Sequence, residues 1–261
     1  MIRLSKRLEW IAQEVPKGSR LADIGSDHAL LPSYLAQQGI ITSGVAGEVN
    51  AGPYEAASRQ VRAAGLKERI EVRLGDGLAV LAPGEVDVIT IAGMGGALIA
   101  SILEAGQEKL AGVSRLVLQP NVAEDAVRRW LLAHGWELVS ERILEEDGKI
   151  YEILTAVSSA QAEETGTRAG ERLYEPLSLA EGITLDREEL QKFGPHLVRE
   201  APTVWQAKWR LELDKLEHVC MQMSRSDTEA ARLREQEFRL EMKRIEEVLN
   251  ACMPKDKPSF N

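Results

Sequence analysis

The chain has 261 residues, with 41 acidic against 32 basic side chains for a formal net charge of −9, and it is 44% hydrophobic and 28% charged. That length exceeds a typical domain of about 100–150 residues and predicts two domains, each able to bury a core. No apolar run approaches the roughly 18 residues needed to cross a bilayer, and the acidic balance excludes nucleic-acid binding through an overall positive field, leaving only local patches for that purpose.

Leu4, Leu8 and Ile11 share one helical face, with Ser5 as a cap and Pro16-Lys17-Gly18 as a stop, so the chain opens on a short helix. Charges at Arg3, Lys6, Arg7 and Glu9 interrupt any apolar signal-peptide core, which predicts a cytoplasmic location. From residue 20 onward short β-rich runs alternate with helical stretches. The strands are predicted at Arg20–Ile24, Gly44–Val49, Arg69–Leu74, Val86–Ala92 and Arg115–Gln119, with helices at about 28–38, 50–64, 96–110 and 122–134. That alternation implies a parallel sheet covered by helices on both faces. The rhythm then changes: Trp136–Glu146 and Lys149–Val157 are both strand-like and flank Asp147-Gly148, a tight-turn signal, so the sheet is expected to end in an antiparallel hairpin. By analogy at the level of the fold, this is the plan of class I methyltransferases.

Residues 158–170 (SSAQAEETGTRAG) are small, polar and aperiodic, and are expected to form a linker between a domain at 1–157 and one at 171–261. In the second domain Trp209, Leu213, Leu216, Cys220 and Met223 follow a 4-3-4-3 spacing. After a break at 224–226, with Ser226 and Glu229 as a capping box, Ala231, Phe238, Met242, Ile245, Leu249 and Cys252 continue the stripe. An antiparallel helical hairpin is predicted, pairing Leu213 with Phe238 and Trp209 with Met242. Cys220 and Cys252, the chain's two cysteines, then lie too far apart for a disulfide. Pro254–Asn261 is expected to be disordered.

The chemistry concentrates at the carboxyl ends of the predicted strands, where an open α/β sheet places its ligand crevice. The first strand runs into Asp23-Ile24-Gly25-Ser26-Asp27-His28. Gly25 permits a sharp turn and a close approach to a ligand, while Asp27 and Ala29 stand where a glycine-rich loop would repeat its glycine. An aspartate there repels a pyrophosphate but suits a cationic nucleoside, so the loop favours S-adenosylmethionine over NAD or ATP. Glu48, Val49 and Asn50 end the second strand, where a carboxylate can accept from ribose hydroxyls, and Asp76-Gly77 follows the third, where one can accept from an adenine amine. After the fourth strand, Ala92-Gly93-Met94-Gly95-Gly96 replaces the Asn-Pro-Pro-Tyr type of motif, leaving backbone groups and an apolar Met94 to shape a transfer site. Asn121, after the fifth, is either a partner for a target base or the N-cap of the next helix. The residues themselves leave three readings open: a nucleic-acid methyltransferase, one for a small molecule or protein, and a non-catalytic cofactor binder whose coiled coil recruits a partner.

At Leu4-Ser5-x-Arg7-Leu8, LADIGSDHALLP (21–32), AGEVNAGP (46–53), VRLGDGL (72–78), VDVITIAGMGG (86–96), LQPN (118–121) and EEDGKIYEI (145–153), the chain resembles the bacterial tRNA adenine-N1 methyltransferases that act on position 22. Leu30 departs from the tyrosine of that pattern. The resemblance implies an α/β class I (Rossmann-like) domain with a C-terminal antiparallel helical coiled-coil domain, S-adenosyl-L-methionine as cofactor, tRNA as partner, no metal, and methylation of adenine N1. On this reading Asp23, Gly25, Ser26, Asp27, His28, Glu48, Val49, Asn50, Asp76, Gly77, Gly93 and Met94 bind cofactor. Asp27 and Asn121 are the catalytic candidates, with Asp27 the first candidate to offset the charge that develops on the base. Arg3, Lys6 and Arg7, a basic cluster on the first helix, are expected to hold tRNA phosphates, with Gly95 and Asn121 at the base. A monomer is expected.

Overall fold

A computed structural model of the chain describes residues 2–167, 170–225 and 228–252, and its contacts divide it into two compact units, Met1–Leu173 and Tyr174–Asn261. Ser226 of the expected capping box and the tail Pro254–Asn261 lie outside the described residues.

The first unit is built on a seven-stranded sheet of order β3-β2-β1-β4-β5-β7-β6. The strands are β1 (Ser19–Ile24), β2 (Ile41–Glu48), β3 (Ile70–Leu74), β4 (Val88–Met94), β5 (Arg115–Pro120), β6 (Trp136–Glu146) and β7 (Lys149–Ser158). The first five are mutually parallel, whereas β7 runs antiparallel between β5 and β6. The turn into β7 is made by Asp147 and Gly148, both at positive φ (51° and 71°), which is the geometry an Asp-Gly hairpin supplies.

Side-chain alternation on the central strands divides the core in two. Ile89, Ile91, Leu116 and Leu118 pack with Ile99 and Leu103 of α4 (Gly96–Ala105) and Val127 and Leu131 of α5 (Glu124–Ala133). Leu21, Val88, Val117 and Ile153 pack with Ile11 of α1 (Lys6–Gln13), Leu31 and Leu35 of α2 (Leu30–Gln37), and Ala57 and Val61 of α3 (Ala51–Ala63). Each large aliphatic side chain buried this way contributes about 1.5–3 kcal/mol of transfer free energy. Between α5 and the hairpin, Arg128 is fully buried, its Nε donating to Glu141 at 2.6 Å and its Nη2 to Glu152 at 2.5 Å.

Two sequence expectations change here. The stretch taken as a linker is helical over Ser159–Thr165 (α6): the Ser158 hydroxyl accepts from the Gln161 N–H, Ala162 is buried, and Gly166 closes the helix at φ 67°. One buried alanine and two caps suffice for a helix too short to show a period. The helix expected over 96–110 ends at Ala105 on Gly106, where a side chain would begin 2.5 Å from Leu78 Cβ, and a separate 3-10 turn follows at Gln107–Leu110.

The second unit begins with a two-stranded ladder, β8 (Leu177–Ser178) with β9 (Thr184–Leu185), and two short helices, α7 (Arg187–Phe193) and α8 (Leu197–Glu200). α7 opens on a full capping box between Asp186 and Glu189. The long helices α9 (Thr203–Met223) and α10 (Glu229–Cys252) pack on each other. Buried positions run along α9 at Trp205, Trp209, Leu216 and Cys220, and gather toward the end of α10 at Ile245, Val248, Leu249 and Ala251. Phe193 and Trp209 pack at 4.5 Å between ring centroids, and the Trp205 indole donates to the Phe193 carbonyl. Arg244 clamps α10 to Glu189 and to the Thr184 carbonyl. Both cysteines are free thiols.

Candidate functional site

Parallel pairing places Asp23 of β1 directly opposite Thr90 of β4, at the point where the sheet order reverses. Asp23 is buried, and its two oxygens are both engaged: Thr90 Oγ1 donates to Oδ1 and Ser26 Oγ to Oδ2, each at 2.5 Å. Burial pushes the Asp23 carboxyl above its ordinary range, and those two hydrogen bonds pull against it. The loop that follows is stitched to β2, since the Gly25 and Ser26 N–H groups both donate to the Gly47 carbonyl. Gly25 sits at φ 69°, and a side chain there would begin 2.1 Å from Met94 Cε, so the Met94 thioether lies across the glycine.

Asp27, His28 and Ala29 then occupy the left-handed region in succession, at φ 41°, 67° and 53°. Three such residues without a glycine store strain of roughly 1 kcal/mol or more each, a pattern that concentrates at ligand sites. Asp27 and His28 are exposed, with His28 Nε2 3.6 Å from Asp27 Oδ1, while Ala29 is wholly buried at the start of α2.

Glu48, at the end of β2, is buried to 6% exposure, and its Oε1 has no hydrogen-bond partner. Burial raises its pKa; the Asp27 backbone N–H opposes this, and the negative charges of Asp23 and Asp27 add to it. An orphaned carboxylate oxygen facing two other carboxylates suits a ligand that brings hydroxyl donors and positive charge. Val49 is 60% exposed beside it, and Asn50 is exposed at the start of α3 without capping it. Asp76 and Gly77 line a groove of about 400 Å3 with Leu98, Ile102 and Lys109. Gly77 sits at φ 50°, where a side chain would begin 3.0 Å from Ile102 Cγ2.

The glycine segment after β4 is held by a ring of amides. The Gly93 N–H donates to Gln119 Oε1 at 3.1 Å, Gln119 Nε2 donates to Asn121 Oδ1 at 3.1 Å and to the Pro120 carbonyl at 2.8 Å, and Asn121 Nδ2 donates to the Gly93 carbonyl at 2.8 Å. Asn121 is not the cap of α5, which begins at Glu124 after Ala123 in the left-handed region. Gly95 faces Val122, itself 64% exposed, and Gly96 is forced by backbone, since a Cβ there would meet the Ala123 carbonyl oxygen at 2.0 Å.

Of the expected phosphate contacts, Arg3 and Lys6 are exposed. Arg7 is half-buried, donates through Nη1 to Gln119 Oε1, and lies over the Tyr151 ring at 5.2 Å. Thus Asp23, Gly25, Ser26, Glu48 and Met94 come together, Arg7, Gly93 and Asn121 are joined through Gln119, and Asp76 and Gly77 line their own groove. Sequence reasoning missed Thr90, Gln119 and Tyr151. Thr90 carried a signal, as the one polar residue in Val88–Ala92. Among the described residues no group of His, Cys, Asp or Glu could hold a metal ion, and no helix is long and apolar enough to cross a membrane.

The family described as tRNA (adenine(22)-N(1))-methyltransferase matches residues 21–247. A Bacillus subtilis protein of that description is 43% identical over 250 residues, which cover 95% of this chain and 98% of that one. The crystal structure of the Bacillus subtilis tRNA methyltransferase that forms 1-methyladenosine at position 22 superposes with a TM-score of 0.81, at 42% identity, covering 95% and 100% of the two chains. A Streptococcus pneumoniae protein in complex with S-adenosyl-L-methionine superposes with a TM-score of 0.77, at 43% identity and the same coverage.

Proposed function

The chain belongs to the tRNA (adenine(22)-N(1))-methyltransferase family, and from that premise we propose which of its residues carry the reaction. The protein is an S-adenosyl-L-methionine-dependent enzyme that methylates N1 of adenine 22 in tRNA. The observation that carries the site assignment is the buried, unpartnered Glu48 Oε1 at the carboxyl edge of β2. It accepts from a ribose hydroxyl of the cofactor, while Asp76 accepts from the adenine amine in the groove beside it. Asp23, oriented by Ser26 and Thr90, and Asp27 supply negative potential suited to a cationic cofactor. Gly25, Ser26, His28, Val49, Asn50, Gly77 and Gly93 complete its surroundings, and Met94 forms an apolar floor. S-adenosyl-L-methionine, when bound, supplies the methyl group.

Adenine N1 has its lone pair in the plane of the ring, so no side chain need generate a nucleophile. The protein's task is to unstack the base and hold N1 in line. Methylation leaves the ring positively charged, and Asp27 offsets that charge. Asn121 Oδ1 keeps one lone pair beyond the Gln119 bond and accepts from the adenine N6 amine, with the base lying on Gly95.

Arg3 and Lys6 contact phosphates, and the second unit holds the body of the tRNA. The catalytic core is assigned to 1–157 and the helical domain to 171–261, with α6 and Leu173 packed on the first unit rather than forming a free linker. The burial of the α9 and α10 seam within the chain supports a monomer, and a cytoplasmic location accords with the substrate. The test is incubation with labelled cofactor and either unmodified bulk tRNA or an RNA-depleted lysate. Label mapping to 1-methyladenosine at position 22 is expected, whereas label confined to other molecules overturns the reading.

A further inference from the structure

Arg7 and the Gly93 N–H donate to the same oxygen, Gln119 Oε1. Gln119 is completely buried, and both hydrogens of its Nε2 are spent on Pro120 and Asn121. A primary amide is nearly symmetric in shape, so only its partners decide which end is oxygen. Here two donors, one of them cationic, converge on Oε1, and a flipped amide would set N–H against N–H. The orientation of Gln119 then fixes Asn121, whose Nδ2 returns to the Gly93 carbonyl. Arg7 is held in turn by distant parts of the chain. Its ring partner Tyr151 lies on β7, and its backbone N–H and that of Lys6 donate to the two oxygens of Glu146 at the end of β6, at 3.2 and 2.5 Å.

We propose that Arg7 is a positioning residue for methyl transfer: through the Gln119 amide it locks the Gly93 and Asn121 turns that present the target adenine, and it does not serve as a tRNA phosphate contact. The inference rests on the function proposed above. A guanidinium suits the place because it lies over the Tyr151 ring while its Nη1 donates to the amide; a lysine ammonium cannot do both. Freed of this lock, the two turns lose the precision that in-line transfer demands, where a misplacement of about 1 Å costs on the order of a hundredfold in rate.

The full-length enzyme with Arg7→Ala, Arg7→Lys, Gln119→Leu or Arg7→Ala combined with Gln119→Leu tests this with unmodified tRNA. For both Arg7 variants kcat is expected to fall about ten- to a hundredfold, with the KM for tRNA, its dependence on salt and the Kd for S-adenosyl-L-methionine unchanged. The unchanged Kd reports an intact fold. The double variant is expected to lose little more than either single one, because both act through one amide. A raised KM with kcat intact, a salt slope smaller by about one, and rescue by Arg7→Lys would overturn the proposal in favour of a phosphate contact. Wild-type kcat in Arg7→Lys, or multiplicative losses in the double variant, would also overturn it. If Arg7→Ala fails to fold, Arg7→Lys, which keeps the charge and the helix, decides by the same measures. A wild-type enzyme that leaves tRNA unlabelled speaks against the proposed function instead.

Discussion

Met94 and Gly25 occupy a single space: the terminal methyl of one lies 2.1 Å from where a side chain on the other would begin. Gly25→Ala therefore displaces the thioether from the floor of the site. Because the displaced group is the flexible end of a side chain, stability falls by only about 1 kcal/mol, from an alanine at φ 69°. Cofactor affinity is expected to fall further than stability does. Gly96→Ala differs in kind, since its Cβ meets the Ala123 backbone at 2.0 Å. A loss at the upper end of about 1–3 kcal/mol is expected there. Thermal unfolding and titration calorimetry on the two variants separate these effects, and equal stability losses would contradict the account.

Glu48→Gln separates binding from stability. Removing a buried carboxylate with an orphaned oxygen relieves its desolvation, so the cofactor-free protein is expected to melt no lower than wild type. Affinity for S-adenosyl-L-methionine is expected to drop about tenfold or more with the loss of a charged acceptor. A variant that melts lower yet binds normally would remove Glu48 from the site.

The same burial gives a pH dependence. Asp23 and Glu48 both have pKa values raised above their ordinary 3.8 and 4.5. The folded state therefore binds protons more tightly than the unfolded one, and these two groups contribute stability at low pH that is lost as pH rises through the raised values. Cofactor binding needs the ionised forms and runs the other way, strengthening across that window. Calorimetry should show affinity rising with pH from the mildly acid range, more weakly in Glu48→Gln. A flat profile in the wild type would contradict the assignment.

Arg128→Met removes the guanidinium that bridges two buried carboxylates, Glu141 and Glu152. A loss of about 3–5 kcal/mol is expected in denaturant unfolding. Replacing all three residues by apolar ones should recover most of it.

Truncation after Leu173 is expected to leave cofactor binding intact and to depress tRNA methylation. Truncation after Val157 strips away α6 and Leu173, which packs on the sheet's core, and is expected to lower the melting temperature as well. Equal melting temperatures for the two fragments would mean that residues 158–173 contribute nothing to the first unit.

The strands of the sheet were legible because Val, Ile and Leu cluster in short runs between turn residues, and the hairpin because Asp147-Gly148 has few other uses. The acids at the strand ends were legible from position alone. Helix α6 was not, since its burial rests on the single small side chain of Ala162. The left-handed run at 27–29 could not be read from the sequence, because Asp27 and His28 tolerate that region without requiring it and Ala29 seldom adopts it. Arg7 looked like a surface cation, because charge is visible in a sequence whereas a partner 112 residues away is not.

The attachment of α1 to Glu146 and Tyr151 also bears on how the enzyme comes into being. In synthesis the helix precedes its anchors by about 140 residues. A nascent chain can close β1 to β4 around the Asp23 loop while Arg7 still lacks its perch. If Arg7 positions the site as proposed, the methyl-transfer turns are locked only once the β6–β7 hairpin has emerged and bound α1, later than the Asp23 loop can form.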